Sequence, residues 1–285
     1  MKRTLDFSVA FMGIVLLLPL GLAIALVIWM EDRASPWFRG VRVARGGGDF
    51  RMLKFRSMYP DAWKNGVNST ASGDARVTRV GRWLRGAKLD ELPQLWNVLV
   101  GDMSLVGPRP QVRADADLYT SEERRMWNVR PGITDLASIV FADEGAILAG
   151  SEDPDLLYNQ IIRPWKSRLA LLYVERRTLA ADCAIVLLTA AALVRRTWAL
   201  RGVSWILATW KADRVLQTMA SRRVPLQAYP PPGADAIVTN YRAANDRAAN
   251  SRASSDRAAN DHSANDRPAN DHPLDDRDRV QGTAA

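Results

Sequence analysis

The chain has 285 residues, of which 47% are hydrophobic and 25% are charged, and its formal net charge is +8 at pH 7. This length and composition suit one sizeable folded domain with appendages and exclude disorder throughout. The only histidines, His262 and His272, fall in a repetitive C-terminal segment, which excludes a Ser-His-Asp triad and a His-ligated metal from the body. The single cysteine, Cys183, excludes an intramolecular disulfide. The chemistry must therefore use carboxylates, arginines, lysines and oxygen-ligated metal.

Positive charge is concentrated in the body of the chain. Residues 235–285 contain seven Arg and nine Asp, a net charge of −2, so residues 1–234 carry +10. Arg accounts for 33 of the 39 basic residues, and its guanidinium binds phosphate with two parallel hydrogen bonds. This balance suits nucleic acid, anionic lipid and phosphorylated substrates equally.

The first element is an uncharged apolar segment of 24 residues, 7–30. As a helix it is about 36 Å long, enough to cross a hydrocarbon core of about 30 Å. Basic residues lie on both sides, Lys2 and Arg3 before it and seven more within 33–56, and they oppose translocation of either end. Pro19 removes a helical hydrogen bond and favours a kink. The residues alone support a span and a re-entrant hairpin bent at Pro19 equally.

A small β-hairpin and a helix are predicted next. Residues 41–44 and 50–56 are typical of two short strands around the turn residues 46–49. This glycine run lacks the spacing of a phosphate-binding P-loop. Apolar residues at spacings of three and four then predict a helix with one buried face: Leu89, Leu92, Leu95, Trp96 and Leu99.

The second half of the body is predicted to be helical. Thr120 with Glu123 indicates a capping box, residues 155–173 form a helix pattern with a break at Pro164, and residues 179–194 are almost entirely apolar. The next segment mixes tryptophan and arginine, as helices in the lipid headgroup zone do, although core helices with exposed arginines fit as well. These residues are Arg195, Arg196, Trp198, Arg201, Trp205 and Trp210.

The C-terminal segment is repetitive. Residues 242–276 form seven pentads, beginning RAAND and RAANS. A five-residue period fits neither helix nor strand, and the pentads contain almost no large apolar side chains, so we interpret the tail as disordered.

Candidate catalytic groups are densest in residues 74–110. Adjacent carboxylates, Asp90 and Glu91, lie among six cationic side chains of this segment. Asp90 could simply be a helix N-cap, with Glu91 and Pro93 in the first turn. The same helix N-terminus could also bind an anion, and a carboxylate there could bind Mg²⁺ or attack phosphorus.

Several motifs, in the same order, make the chain similar to one family. They are KFRSM (54–58), DARVTRVGRWLR (74–85), LDELPQLWNVLVGDMSLVGPRP (89–110) and VRPGIT (129–134). Residues 1–212 closely resemble the bacterial sugar transferases of the small monotopic phosphoglycosyl transferase superfamily. The resemblance does not extend to the pentad tail.

The resemblance implies an undecaprenyl-phosphate sugar phosphotransferase. Such enzymes transfer a sugar 1-phosphate from a UDP-sugar to undecaprenyl phosphate, release UMP, and begin exopolysaccharide, O-antigen or glycan assembly. The matching dyad makes Asp90 the nucleophile that forms a phosphosugar intermediate and a ligand of Mg²⁺, while Glu91 assists proton handling or positions the acceptor. Matching basic positions imply phosphate-binding side chains at Lys54, Arg85, Arg109 and Arg130.

The resemblance also implies an α+β, mostly α-helical monotopic membrane protein. Residues 1–33 would form a re-entrant membrane helix broken at Pro19, although Leu18 replaces a serine frequent in the family, so a span remains open. Residues 34–212 would form the catalytic domain, with a small β-hairpin, a helical core and interfacial amphipathic helices. Residues 213–285 would be a linker and the disordered tail.

The expected location is the bacterial inner membrane, with the catalytic domain on the cytoplasmic face. The expected partners are the UDP-sugar donor, the undecaprenyl phosphate acceptor and membrane phospholipid, together with downstream glycosyltransferases or a second copy. Nucleic acid is not expected, because the tryptophans cluster near apolar runs and not along a basic stripe. The competing hypothesis is a non-catalytic membrane-anchored scaffold that binds anionic lipid. The sequence does not identify the sugar.

Overall fold

Helices make up most of the structure, a computed structural model that describes residues 1–62 and 69–241. The α-helices of these ranges are α1 (Lys2–Asp32), α2 (Arg79–Gly86), α3 (Gln94–Val100), α4 (Arg113–Ala116), α5 (Leu136–Val140), α6 (Glu144–Ile147), α7 (Pro154–Leu157), α8 (Arg163–Arg176), α9 (Leu179–Val194), α10 (Arg196–Thr209) and α11 (Arg214–Ala220). The strands are β1 (Trp37–Val43), β2 (Asp49–Phe55), β3 (Ser104–Val106) and β4 (Gly132–Thr134). Short 3₁₀ turns occupy Arg45–Gly47, Leu89–Glu91 and Glu123–Asn128. The mostly helical α+β prediction is confirmed.

The predicted hairpin is present. β1 and β2 pair antiparallel, from Trp37 opposite Phe55 to Val43 opposite Asp49. The turn between them needs glycine at Gly46, whose φ is 81°, because residues with a side chain rarely adopt this backbone conformation. β1 begins four residues before the predicted strand.

A second, parallel pair was not predicted. β3 and β4 pair through only three residues each, Ser104 opposite Gly132 and Val106 opposite Thr134. The chains approach so closely here that a Cβ on Gly132 would lie 2.1 Å from the Gly107 nitrogen. This contact holds the segment that follows β3 against the segment around β4.

The N-terminal helix lies along the body. Its buried residues pack in two groups, Ala10 against a cluster that includes Val98, and Ile24 and Ile28 against Phe55 and Leu84. The opposite face is exposed and apolar. Within the described ranges, α1 is the one helix long and apolar enough to cross a membrane by length and composition.

α1 is assigned as one helix from Lys2 to Asp32 with Pro19 inside it, and the re-entrant break at Pro19 stays a prediction. A proline removes a single helical hydrogen bond. Contacts on both sides of it hold the helix to the body, with Gly13 packed on Leu95 and Gly21 on Phe55. These contacts attach α1 to the body on both sides of Pro19.

The largest core cluster is built by α5, α8, α9, α10 and α11. α9 has the predicted bounds, and a π-helical turn, Tyr158–Ile162, lies immediately before Pro164, where the break was predicted. α10 has one buried and one exposed side, and its place in the headgroup zone stays a prediction. Val203 and Leu207 are in the core, whereas Trp198 and Trp205 are 53% and 69% exposed.

The chain continues to pack on the body after residue 212, the predicted end of the catalytic domain. α11 begins after the N-cap Asp213 and contributes Leu216 and Met219 to the core. The chain then crosses α8, where the Tyr229 ring packs on Trp165, and ends its described part at Tyr241, whose hydroxyl donates to Asp115 at 2.6 Å. The apolar residues of one seven-residue helix are a weak signal beside the proline-rich segment that follows. The pentads lie outside the described residues.

Candidate functional site

The carboxylate dyad lies in the turn that joins α2 and α3. Asp90 and Glu91 belong to the 3₁₀ turn, which follows Lys88 in the left-handed conformation. The residue that precedes α3 is Pro93, and no side chain caps this helix. The interpretation of Asp90 as an N-cap is therefore wrong, and its buried carboxylate needs another explanation.

Glu91 is bound by two cations. Lys54 Nζ lies 3.1 Å from Glu91 Oε1, and Arg109 approaches both oxygens, with Nη1 donating to Oε2 at 3.0 Å and Nη2 donating to Oε1. Burial alone would raise the pKa of Glu91, but the charges of Arg109 and Lys54, with their hydrogen bonds, outweigh it and hold the pKa well below its usual range. Glu91 is a fully paired carboxylate.

Asp90 differs from its neighbour. It is 5% exposed, and its nearest cation, Lys54 Nζ, lies 3.9 Å from Oδ2. None of the hydrogen bonds formed within the described ranges reaches this carboxylate. Burial and the charge of Glu91 raise its pKa, against the opposing charges of Lys54, Arg85 and Arg109. Its lone pairs are therefore free to bind a metal or attack an electrophile.

Lys54 is positioned by a residue that the sequence analysis missed. Asn97 of α3 accepts from Leu53 N at 2.8 Å and donates to Arg51 O at 2.9 Å. Both contacts are with the backbone of β2, just before Lys54. A polar residue seven positions after Asp90, on the same side of a helix, was the available signal.

Arg109 comes from the loop after β3. Its Nη1 also donates to Ile133 O at 3.2 Å, and its backbone nitrogen donates to Asp135 at 3.3 Å. The parallel pairing of β3 with β4 therefore brings this loop to the dyad. Its charged group is 29% exposed, so it can face both Glu91 and a bound phosphate.

The other two predicted phosphate-binding residues differ in placement. Arg85 is half-buried at the end of α2, and its charge is one of those that oppose the rise in the pKa of Asp90 that burial causes. No carboxylate among the described residues forms an ion pair with Arg85. Arg130 instead donates from Nε to Gly101 O at 2.8 Å, at the far end of α3 from the dyad. The structure thus groups Lys54, Arg85 and Arg109, and leaves Arg130 apart.

The donor set suits a weakly held Mg²⁺. The structure shows no cluster of three or more Asp, Glu, His or Cys side chains among residues 1–62 and 69–241 that could enclose a metal. Mg²⁺ commonly takes one or two carboxylates and completes its shell with water and substrate phosphates. Asp90, which accepts no hydrogen bond within the described ranges and lies 3.9 Å from Lys54, fits a Mg²⁺ that arrives with a diphosphate.

The fold and site define a transferase with a carboxylate, lysine and arginine centre beneath an apolar helix. Residues 1–196 match the family model described as bacterial sugar transferase, and the chain belongs to this family.

Individual relatives are similar across this region. The chain is 39% identical over 196 residues to UDP-glucose:undecaprenyl-phosphate glucose-1-phosphate transferase of Caulobacter vibrioides. The matched region is 68% of this chain and 69% of the relative. It is 44% identical over 142 residues to UDP-N-acetylgalactosamine-undecaprenyl-phosphate N-acetylgalactosaminephosphotransferase of Aeromonas hydrophila, covering 49% of this chain and 34% of the relative. A third, undecaprenyl-phosphate glucose phosphotransferase of Komagataeibacter xylinus, is 41% identical over 149 residues, which are 48% of this chain and 27% of the relative.

Proposed function

We propose that this enzyme transfers a sugar 1-phosphate from a UDP-sugar to undecaprenyl phosphate through a covalent intermediate on Asp90. The names of the three relatives supply the donor and acceptor classes. The observation that carries the assignment is the contrast within the dyad. Glu91 is bound by Lys54 at 3.1 Å and by Arg109, whereas Asp90 accepts no hydrogen bond within the described ranges and has Lys54 at 3.9 Å as its nearest cation.

The reaction has two displacements at one phosphorus atom. An Asp90 oxygen attacks the sugar-linked phosphorus, and the bond to the bridging oxygen breaks, so that UMP leaves with the electron pair. An oxygen of the acceptor phosphate then attacks the same phosphorus, the bond to Asp90 breaks, and the carboxylate is regenerated. Both steps concentrate negative charge, and Lys54, Arg85 and Arg109 are placed to offset it. Mg²⁺ bound at Asp90 would supply further charge for the diphosphate.

In this proposal Glu91 positions the site and does not act as the base. A carboxylate held ionised by two cations accepts a proton poorly near neutral pH. Its contacts instead fix the Lys54 ammonium and the Arg109 guanidinium, which come from β2 and the loop after β3. This assignment favours the positioning alternative over the proton-handling alternative.

We further propose that the enzyme is monotopic, because both ends of α1 are attached to one body. At the start, Lys2 Nζ contacts Asp182 at 2.5 Å and Asp6 accepts from Ser104 at 2.8 Å. At the end, Asp32 pairs with Arg56 at 2.6 Å. Attachment of both ends to one body supports an arrangement in which they lie on the same side of the bilayer.

The apolar surface supports the same arrangement. Exposed apolar side chains lie on the outer face of α1 and on α2, α3, α9 and α10, where they would enter the lipid. They include Leu16, Leu22, Trp83, Trp96, Leu187 and Trp205. The basic flanks favour the cytoplasmic leaflet.

The function is tested by incubating purified protein with undecaprenyl phosphate, Mg²⁺ and a panel of UDP-sugars that begins with UDP-glucose and UDP-N-acetylgalactosamine. We expect UMP release with at least one donor and none with Asp90→Asn. No release across a broad panel would favour the scaffold hypothesis.

A further inference from the structure

A buried glutamine beside the dyad lacks hydrogen bonds. Gln94, the first residue of α3, is 0% exposed, and neither its Nε2 nor its Oε1 forms a hydrogen bond. Buried polar side chains are nearly always paired, because an unpaired group loses its bonds to water without replacement. An apolar residue of the same shape would suit this position better if only stability mattered.

The backbone places Gln94 next to Asp90. Leu92 and Pro93 both have right-handed helical angles, so the 3₁₀ turn and α3 continue one another. Residues four apart on such a backbone are neighbours. Asp90, Gln94 and Asn97 therefore form one stripe.

The two ends of this stripe face β2. Asn97 bonds the backbone on either side of Met52, and Asp90 lies beside Lys54. Gln94 lies between these contacts. The backbone therefore puts Gln94 and Asp90 one helical turn apart on this stripe, and neither side chain forms a hydrogen bond within the described ranges.

We propose that Gln94 is a positioning residue whose Nε2 donates to the Asp90 oxygen that does not attack phosphorus. The inference rests on the proposed function. Rotation about the terminal side-chain bonds of Gln94 is sufficient to aim Nε2 at a carboxylate one turn away. A neutral amide orients the carboxylate and leaves its charge, and hence its nucleophilicity, largely intact. This role explains why a polar side chain occupies a position that an apolar one would stabilise.

The test compares Gln94→Met and Gln94→Leu with the matched control Gln160→Met. Gln160 is also a helical glutamine, but it is only half-buried and its amide donates to Val238 O at 2.8 Å. Melting temperature, KM for the donor and the single-turnover rate of protein labelling by sugar-labelled UDP-sugar are measured. We expect both Gln94 variants to melt at or above the wild-type temperature, keep KM within threefold and label at least tenfold more slowly. Gln160→Met should melt lower and label normally.

Labelling within twofold of wild type in both Gln94 variants would overturn the inference, and so would loss of folding in both, which would show a structural role. Failure of the proposed function is a separate result. If Asp90→Asn still releases UMP, the nucleophile is misassigned whatever the Gln94 variants do. If Asp90→Asn is inactive and Gln94→Met is normal, only the role of Gln94 is wrong.

Discussion

Arg109 and Glu91 form a two-point ion pair, with Nη1 donating to Oε2 at 3.0 Å and Nη2 donating to Oε1. The pair joins residues 18 positions apart. It gives the two adjacent carboxylates different roles. One carboxylate is committed to holding cations, and the other, Asp90, remains available for phosphorus.

Asp90→Asn should abolish both covalent labelling and UMP release, because an amide is a poor nucleophile and a weak Mg²⁺ ligand. Wild-type protein should become labelled by sugar-labelled UDP-sugar and release UMP before undecaprenyl phosphate is added. Asp235→Asn, which changes an exposed carboxylate, is the control and should behave as wild type. If Asp90→Asn becomes labelled at the wild-type rate, Asp102 and Asp61 are the next carboxylates to test.

Glu91→Gln should slow turnover strongly and destabilise the fold at neutral pH. Removing one partner of a largely buried ion pair leaves Lys54 and Arg109 uncompensated, a cost of about 3 kcal/mol. Because the folded-state pKa of Glu91 is depressed, its stabilisation is present above the unfolded pKa of about 4.3 and is lost as the pH falls below it.

This pH dependence is checked by measuring the melting temperatures of wild type and Glu91→Gln from pH 7 to pH 3. The difference between the two proteins should be largest at neutral pH and should shrink below about pH 4. A difference that grows towards acid pH would contradict the ion-pair account. Arg109→Lys is a companion variant, and it should retain the charge but lose the second hydrogen bond.

Helix α3, next to the dyad, shows which features can be predicted from the sequence and which cannot. The leucine spacing correctly predicts a helix whose leucines pack on core clusters, but it places Trp96 on the buried face and misses the buried polar residues. Trp96 is 53% exposed, while Gln94 and Asn97 are buried. α3 lies between two surfaces, the apolar α1 and the polar backbone edge of β2, and a periodicity of apolar residues cannot tell an inner face from one that meets lipid.

Long-range contacts limit the prediction of the site. Resemblance to known motifs identified Asp90, Glu91, Lys54 and Arg109 together, yet their contacts depend on strands that local patterns do not reveal. β3 and β4 are three residues long, and they pair across the chain through the close approach of Gly107 and Gly132. Propensity over three residues carries almost no signal.

Both ends of α1 should face the cytoplasm. Single cysteines at Thr4 and Ser35, placed in a Cys183→Ser background, should resist a membrane-impermeant thiol reagent applied to intact cells and react after the cells are opened. The salt bridges at Lys2 and Asp32 tie both positions to one body. Labelling at position 4 alone in intact cells would establish a span and refute the monotopic proposal.

The packed C-terminal segment, residues 213–241, and the pentads should contribute differently to stability. Removal of residues 242–285 should leave turnover and membrane association nearly unchanged, because the pentads offer few apolar side chains. Removal of residues 213–285 should instead lower the melting temperature sharply. That deletion strips Leu216 and Met219 from the main core, at about 1.5–3 kcal/mol for each buried side chain, and removes the Tyr229 ring from Trp165. Thermal unfolding and UMP release are measured on both truncations. A more than tenfold loss of turnover in the shorter deletion, about 1.4 kcal/mol of barrier, would show that the pentads act on the catalytic body.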